Sequence, residues 1–221
     1  MATTFAILPM KGFDTAKRRL RSSLDPLTRR VLVQAMFSDV LVAIGRSQGI
    51  AGLIVVSGDH GAQTIAEGYG AHVATDEQQG HNHAATVGIR RAVELGADRV
   101  LLVPGDCPLL DPIEIDALID RPSADRSVLI VPDRHGSGTN ALLITPPDVF
   151  SPAFGAGSRE RHERIAQDAG LSFETVTVSS LSLDVDTPED LSAVKKTLAT
   201  HHGSAAHTRG MLAQMTRTAG R

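Results

Sequence analysis

Cysteine is almost absent from this chain, since Cys107 is the single one among 221 residues. One cysteine excludes an internal disulfide and a metal site built from several thiolates, and it suits a reducing compartment. An excess of either charge is absent as well, because the net charge is −3 at pH 7. The chain as a whole therefore has no electrostatic attraction for nucleic acid or an anionic membrane, and we expect neither as a partner.

Long hydrophobic runs are also missing. No apolar run approaches the ~20 residues that a membrane-spanning helix needs. The segment 1–9 lacks the basic start and the apolar core of a signal peptide. Because 42% of the residues are hydrophobic and 21% are charged, the composition is that of an ordinary globular protein. We expect a cytoplasmic location.

Two nucleotide-binding fingerprints are absent too. The chain contains no G-x-x-x-x-G-K-[ST], which excludes a P-loop. No G-x-G-x-x-G follows the first apolar run, which disfavours a dinucleotide-binding dehydrogenase. A nucleotide site, if there is one, must therefore be built differently.

Short apolar runs alternate with helical patterns along most of the chain. The predicted strands are 4–9, 52–57, 71–75, 99–104, 127–132, 141–145 and 173–178. Several of them are apolar throughout, as strands covered on both faces should be. The predicted helices are 27–46, 60–68, 82–95, 112–120, 158–169 and 188–199. This alternation predicts a single domain over residues 1–199, a three-layer α/β/α sandwich with a mostly parallel sheet.

The segment after this domain differs from it in composition and pattern. Residues 200–221 carry three arginines and no acidic residue, without a clear helical stripe. We predict a disordered tail that can be removed, with an RNA-binding tail as the less favoured alternative.

Ligands of open α/β sheets bind at the carboxyl ends of the strands. A basic cluster follows the first predicted strand, in "PMKGFDTAKRRL". Several cations beside free backbone N–H groups suit a polyphosphate. We favour phosphate binding for Lys11 and Lys17, and a solvated helix face for Arg18 and Arg21.

The fourth predicted strand runs into "PGDCPLLDP", which contains two aspartates. Asp111 has a local explanation as the N-cap of a helix that begins at Pro112. Asp106 has no such role, and a carboxylate at the end of a buried strand is costly unless it binds a cation or solvent. Asp106 is therefore a candidate metal ligand.

A second acidic segment, "LSLDVDTPEDL", precedes the last predicted helix. Thr187 is explained as its N-cap and Pro188 as its first residue, which leaves Asp184 and Asp186. Two residues apart on an extended chain, these carboxylates point the same way. Together with Asp106 they form a hard oxygen site, and magnesium with substrate phosphates suits it.

Two glycine-rich segments lie between these acidic ones, at 136–140 and at 155–158. A glycine loop that enters a helix can bind an anion through its backbone, and the Ser158 hydroxyl could add a donor. The alternative is a flexible hairpin followed by an ordinary helix cap. Two anion sites and one carboxylate site indicate two phosphorylated substrates.

Two further loops leave their roles open. The segment 57–59 could contact a base or cap the next helix, with neither favoured. Asn82 could be a simple N-cap. His81 and His83 lie too close together on one helix start to predict a zinc pair.

Taken together, these segments resemble the 2-phospho-L-lactate and phosphoenolpyruvate guanylyltransferases of the CofC/FbiD type, which serve coenzyme F-420 biosynthesis. The matching segments are "LPMKGFDTAKRRL", "GHNHA", "PGDCPLL", "GSGTNALL", "FGAGSRERH" and "LDVDTPEDL". They lie within residues 5–198. The last one alone is unspecific, since it recurs in molybdenum-cofactor guanylyltransferases. The resemblance implies the nucleotide-diphospho-sugar-transferase-like fold.

The resemblance also implies roles for individual residues. The metal ligands would be Asp106 and Asp186, holding Mg²⁺. The nucleotide-binding residues would be Lys11, Lys17, Gly80 and Asn82, with Lys17 and Asp106 also catalytic. The acceptor-binding residues would be Thr139, Gly155 and Ser158. We assign no role to Arg18, Arg159, Arg161 or Asp184.

The activity implied by the resemblance is transfer of GMP from GTP to phosphoenolpyruvate or 2-phospho-L-lactate, with release of pyrophosphate. Its implied partners are GTP and a small phosphorylated carboxylic acid. Two further partners are left open by the sequence: the downstream transferase that consumes the product, and a second copy of the chain. The alternatives are another acceptor, 3-phosphoglycerate or molybdopterin, and a nucleotide-binding regulator without turnover. The chain lacks the G-x-G-x-R loop that the sugar and molybdopterin enzymes carry after the first strand, which argues against those acceptors.

Overall fold

The computed structural model describes residues 2–76, 79–200 and 203–219. The strands in these ranges are β1 (Thr4–Pro9), β2 (Gly52–Val56), β3 (His72–Ala74), β4 (Arg99–Leu102), β5 (Ser127–Pro132), β6 (Thr139–Thr145) and β7 (Ser172–Thr175). The helices are α1 (Pro26–Arg46), α2 (His60–Gly68), α3 (His81–Glu94), α4 (Pro112–Ile119), α5 (Ser158–Asp168), α6 (Pro188–Thr200) and α7 (Ala206–Ala219). Short 3₁₀ helices cover Arg18–Ser22 and Ser179–Leu181. Across the described ranges, no helix is long and apolar enough to cross a membrane.

The strands form one sheet in the order β3-β2-β1-β4-β6-β5-β7. Strand β6 is antiparallel to both of its neighbours, and the other pairs are parallel. The predicted α/β class with a mostly parallel sheet is confirmed. Because β6 runs backwards, its first residues lie at the same edge as the carboxyl ends of the parallel strands.

Helices cover both faces of this sheet. In β1, Ala6 and Leu8 face a core shared with α1, α4 and α6. Phe5 and Ile7 face a second core shared with α3 and α5. At Gly88 of α3, an added Cβ would lie 2.3 Å from the Ile7 Cγ2 atom, so the helix packs closely on the sheet. Burial on both faces explains why the strands are apolar throughout.

The predicted helix starts follow local capping rules. Asp111 accepts a hydrogen bond from the Ile113 N–H (2.8 Å) at the start of α4, as predicted. Asp59 caps α2 through the Ala62 N–H (3.1 Å), which confirms a capping role for that loop. Thr187 and Asp190 bond reciprocally at the start of α6, as a capping box does.

The prediction of a disordered tail from residue 200 is wrong for residues 203–219. Most of them form α7, which packs on α1 and buries Leu212. Asp39 of α1 is the reason, because its carboxylate accepts hydrogen bonds from the His207 N–H (2.9 Å) and the Thr208 N–H (2.7 Å). Because the capping carboxylate belongs to another helix, the sequence of the tail alone does not predict α7.

Candidate active site

A cleft of about 710 Å³ opens at the carboxyl ends of β1 and β2. Lys11, Lys17, Gly80 and Asp186, all predicted as site residues, line it. The other lining residues are Pro9, Met10, Gly12, Asp14, Thr15, Ala16, Arg18, Arg19, Gly58, Asp59, Asp76, His81 and Ala84. The cleft therefore lies where the strand-end rule predicts a ligand.

Lys17 joins the two acidic segments at one point. Its Nζ donates a hydrogen bond to Asp186 Oδ1 (2.6 Å) and another to Asp106 Oδ2. The Lys17 side chain is only 8% exposed. Its backbone is left-handed, with φ at 54°, a conformation that costs energy for a side chain of this kind. The fold holds it there and brings together three residues that lie up to 169 positions apart.

The loop that carries Lys17 is fixed by contacts on both sides. The Phe13 N–H donates to Asp59 Oδ2 (3.0 Å). From α1, the guanidinium of Arg29 donates to the carbonyls of Asp14 (3.1 Å) and Ala16. Arg29 is only 4% exposed. No local motif marks Arg29 as a site residue, although it continues the buried stripe of α1 formed by residues 32, 33 and 36.

Opposing charges set the electrostatics of this point. Burial on its own would lower the pKa of the Lys17 ammonium, but the carboxylates of Asp106 and Asp186 outweigh it and raise the pKa above its usual value. Lys17 therefore remains charged at neutral pH.

The backbone of Asp186 is held by Asp190, the capping-box partner of Thr187 in the first turn of α6. Asp190 Oδ2 accepts hydrogen bonds from the N–H groups of Asp186 (3.0 Å) and Thr187 (2.7 Å). Its other oxygen pairs with Arg134. Asp184 has a different hydrogen-bond partner, since it accepts from Asn140 Nδ2 (3.3 Å). Burial, with Asp106 and Asp186 nearby, raises the pKa of the Asp184 carboxyl.

One feature of the carboxylates fits a divalent cation, and it is an oxygen of Asp106. Asp106 Oδ1 is buried and has no hydrogen-bond partner among the described residues, while its other oxygen binds Lys17. A buried carboxylate oxygen without a partner is costly unless a cation binds it. Within the same ranges, no group of three or more His, Cys, Asp or Glu side chains could hold a metal. The protein would thus offer two carboxylates, and substrate phosphates would have to supply further ligands.

The predicted nucleoside-side residues lie at the start of α3. Gly80 is the N-cap of this helix, with φ at 105°, and borders the cleft. Asn82 is therefore not the N-cap. Its side chain binds the backbone of Phe154, donating to the carbonyl (3.3 Å) and accepting from the N–H (2.7 Å). Asn82 thus ties α3 to the loop before α5.

The predicted acceptor residues gather around the start of α5. Gly157 caps the helix with φ at 66°, and Ser158, its first residue, is buried. The Ser158 N–H donates to the Gly155 carbonyl (3.1 Å). Thr139 Oγ1 lies 2.9 Å from Nδ1 of His162. The structure therefore places these residues in a second cluster, connected to the cleft through Asn82.

Two arginines without a predicted role shape this second cluster. Arg161 donates to the carbonyls of Ala153 and Ala156, both at 2.7 Å. Arg159 donates to the Gly136 carbonyl and pairs with Glu163 (3.0 Å). Both side chains hold loop carbonyls in place.

Comparison with known proteins identifies relatives over nearly the whole chain. The family model described as "Guanylyl transferase CofC like" matches residues 4–219. A phosphoenolpyruvate guanylyltransferase from Conexibacter woesei is 51% identical over 218 residues, covering 98% of each chain. A 2-phospho-L-lactate guanylyltransferase from Methanothermobacter thermautotrophicus is 32% identical over 215 residues, covering 96% of this chain and 91% of the relative.

Solved structures support the fold independently. A crystal structure from Desulfovibrio desulfuricans G20, described as that of a nucleotide-diphospho-sugar transferase, matches with a TM-score of 0.76. The match covers 97% of this chain and 95% of the other, at 18% identity. The implied nucleotide-diphospho-sugar-transferase-like fold is thereby confirmed.

Proposed function

The chain belongs to the CofC-like guanylyl transferases, which are nucleotidyltransferases, and we propose that it transfers GMP from GTP to phosphoenolpyruvate and releases pyrophosphate. The product would serve coenzyme F-420 biosynthesis. The preference for phosphoenolpyruvate follows the Conexibacter relative, which bears that name at 51% identity. The observation that carries the proposal is that Lys17, which lines the cleft with Asp186, pairs with both Asp186 and Asp106.

The reaction requires little proton transfer by the protein. An oxygen of the acceptor phosphate attacks the α-phosphorus of GTP, and the bond to the bridging oxygen of pyrophosphate breaks. A phosphate monoester is largely ionised at neutral pH, so no general base is required. The work left to the protein is to position two anions that repel each other and to offset their charge.

The basic residues of the cleft suit this task. Lys11 is exposed on the cleft wall, and Lys17 carries a charged ammonium at its floor. Both would bind the triphosphate, and Lys17 would offset charge that develops on the reacting phosphate. Gly80, at the start of α3, would lie on the nucleoside side.

Magnesium is part of this proposal. Asp106 and Asp186 would hold the ion, and the unpartnered Asp106 Oδ1 supports that role. When bound, Mg²⁺ would neutralise negative charge on the phosphates. The acceptor would bind at Thr139, Gly155 and Ser158, where hydroxyls and backbone N–H groups surround a helix start.

A direct test uses the purified chain with GTP, magnesium and one acid at a time. Phosphoenolpyruvate, 2-phospho-L-lactate and 3-phosphoglycerate are compared by pyrophosphate release and by mass spectrometry of the guanylylated product, with CTP in place of GTP as the control. We expect the highest kcat/KM with GTP and phosphoenolpyruvate. Faster turnover of either other acid would contradict the proposed acceptor, and GTP binding without turnover would indicate a regulator.

A further inference from the structure

We infer that His162 is a positioning residue for the acceptor: it fixes the Thr139 hydroxyl as a hydrogen-bond donor towards the acceptor's anionic groups. This inference rests on the proposed function, which places Thr139 beside the acceptor. It concerns a buried side chain on α5 to which the family resemblance gave no role.

The two ring nitrogens of His162 have unequal partners. The Ala153 N–H lies 2.9 Å from Nε2, and Thr139 Oγ1 lies 2.9 Å from Nδ1. A backbone N–H can only donate, so Nε2 must carry the lone pair. A neutral imidazole has one N–H, which then sits on Nδ1. His162 therefore donates to Thr139.

The direction of this hydrogen bond determines whether the Thr139 hydroxyl can donate to another group. Its oxygen accepts the His162 Nδ1–H, so its own proton remains to be donated elsewhere. Thr139 is the first residue of β6. The loop before it is tied to α5 by the Arg159 N–H, which donates to the Ser137 carbonyl (3.2 Å). The donor thus lies beside the helix start that carries Ser158. Phosphate and carboxylate oxygens are acceptors, so the polarity matches.

The surroundings of the ring keep it neutral. His162 is 0% exposed and packs between Phe150 (5.6 Å between ring centroids) and Phe154 (5.2 Å). Burial, with a smaller effect of Arg161, lowers the pKa of its imidazole to about 4. A protonated ring would also turn Nε2–H against the Ala153 N–H, placing two donors face to face.

His162 and Asn82 bind the backbone of the same loop at neighbouring residues. His162 accepts from the Ala153 N–H, and Asn82 binds the backbone of Phe154 at the next position. Gly155 follows directly. The ring therefore positions both the Thr139 hydroxyl and the glycine segment that begins α5.

The first experiment reads the tautomer without any substrate. The full chain is labelled with ¹⁵N-histidine, and long-range ¹H–¹⁵N correlations are recorded between about pH 8 and about pH 6. Comparison with His162→Asn assigns the signals among the nine histidines. We expect a neutral ring protonated at Nδ1. A ring protonated at Nε2, or a charged ring at neutral pH, would overturn the inference.

The second experiment measures kinetics for His162→Phe, Thr139→Val and the double variant. Each single change should raise the acceptor KM roughly ten- to a hundredfold while the GTP KM changes little. The double variant should be no worse than the worse single, because both break one contact. His162→Asn keeps a donor near the Nδ1 position and should recover part of the loss. His72→Phe, on an exposed residue of edge strand β3, is the matched control.

The outcomes separate the inference from the proposed function. Additive effects, or equal changes in both KM values, would overturn the role of His162 in an active enzyme. If the wild-type chain turned over no acceptor, the proposed function would fail, and the acceptor role with it. The tautomer would then stand as a structural result alone.

Discussion

At the scale of residues, the site depends on the Lys17 ammonium and the carboxylates of Asp106 and Asp186. A left-handed backbone carries the ammonium into a position where only 8% of the side chain is exposed. Burial of an unpaired charge is costly, so the three groups depend on one another. Arg29 and Asp190 then hold the backbone on either side, one at the carbonyls before Lys17 and the other at the N–H of Asp186.

We predict that Asp106→Asn and Asp186→Asn each lower kcat about a hundredfold or more, while the fold stays intact. Each change keeps the shape of the side chain but removes a charge that the proposed metal and Lys17 both use. The measurements are steady-state kinetics and thermal unfolding. Asp111→Asn is the control, because asparagine also serves as an N-cap. Full activity of either variant at ordinary magnesium would contradict the two-carboxylate site.

His162 also predicts a pH dependence of stability. Its folded pKa is about 4, against 6.5 for the free side chain. Below about pH 6.5 the unfolded state binds a proton that the folded state does not. The contribution of the neutral ring is thus complete above about pH 6.5, falls as the pH drops, and amounts to about 3 kcal/mol in total.

Urea unfolding of wild type and His162→Phe at about pH 7.5 and about pH 4.5 checks this. The stability difference between the two proteins should shift in favour of the variant at the lower pH. A difference that does not change with pH would show that the ring is not held neutral.

At the scale of elements, contacts at the helix ends position the helices and the residues that they carry. Helix α7 begins after two residues with positive φ, Gly203 and Ala205, and is capped by Asp39 of α1. Asp39 is itself buried. A carboxylate that accepts two N–H groups at a helix start is stabilised both by the hydrogen bonds and by the helix dipole.

We predict that Asp39→Ala lowers the free energy of unfolding by about 2 kcal/mol or more and exposes α7 to proteases. Truncation after Thr200 should lower it at least as much, because it also uncovers α1. Chemical unfolding and limited proteolysis measure both effects. Asp168→Ala, at an exposed residue of α5, is the control. Unchanged stability after truncation would restore the idea of a removable tail.

Helix α5 allows a separate prediction. Ser158 is its first residue, and the cap is Gly157. Ser158→Ala therefore removes no cap and should leave the melting temperature nearly unchanged. The acceptor KM should rise roughly ten- to a hundredfold, because a hydrogen bond to an anion is lost. Ser172→Ala, on an exposed residue of β7, is the control. A lower melting temperature with unchanged kinetics would place the acceptor elsewhere.

At the scale of the whole molecule, the apolar cores and the charged cleft lie in different places. The two apolar cores lie on opposite faces of the sheet, whereas the charged residues gather at its edge. The Lys17 ammonium offsets charge on both carboxylates. We therefore expect the chain to fold without a cation, although the proposed reaction needs one.

Removal of metal by EDTA should accordingly abolish turnover and leave the thermal unfolding transition in place. Added magnesium should restore the rate. Activity and circular-dichroism melts, recorded on the same samples, measure the two effects. Loss of cooperative unfolding in EDTA would mean that the ion also holds the fold together.

The sequence by itself determined the strands, most helices and the caps at Asp111 and Thr187. These depend on residues a few positions apart, through apolar periodicity and local hydrogen bonds. It also pointed to Lys11 and Lys17 through the basic cluster after β1, and to Asp106, Asp184 and Asp186 because none of them has a capping role. The family resemblance then chose Asp186 over Asp184.

Only the tertiary structure decided the contacts between distant segments. Asp39 accepts from the His207 N–H across 168 positions, Asn82 binds Phe154 across 72, and His162 meets Thr139 across 23. The periodicity of a segment reports which of its faces is buried but not which partner covers that face. The docking of α7 and the direction of the Thr139 hydroxyl therefore follow from packing alone.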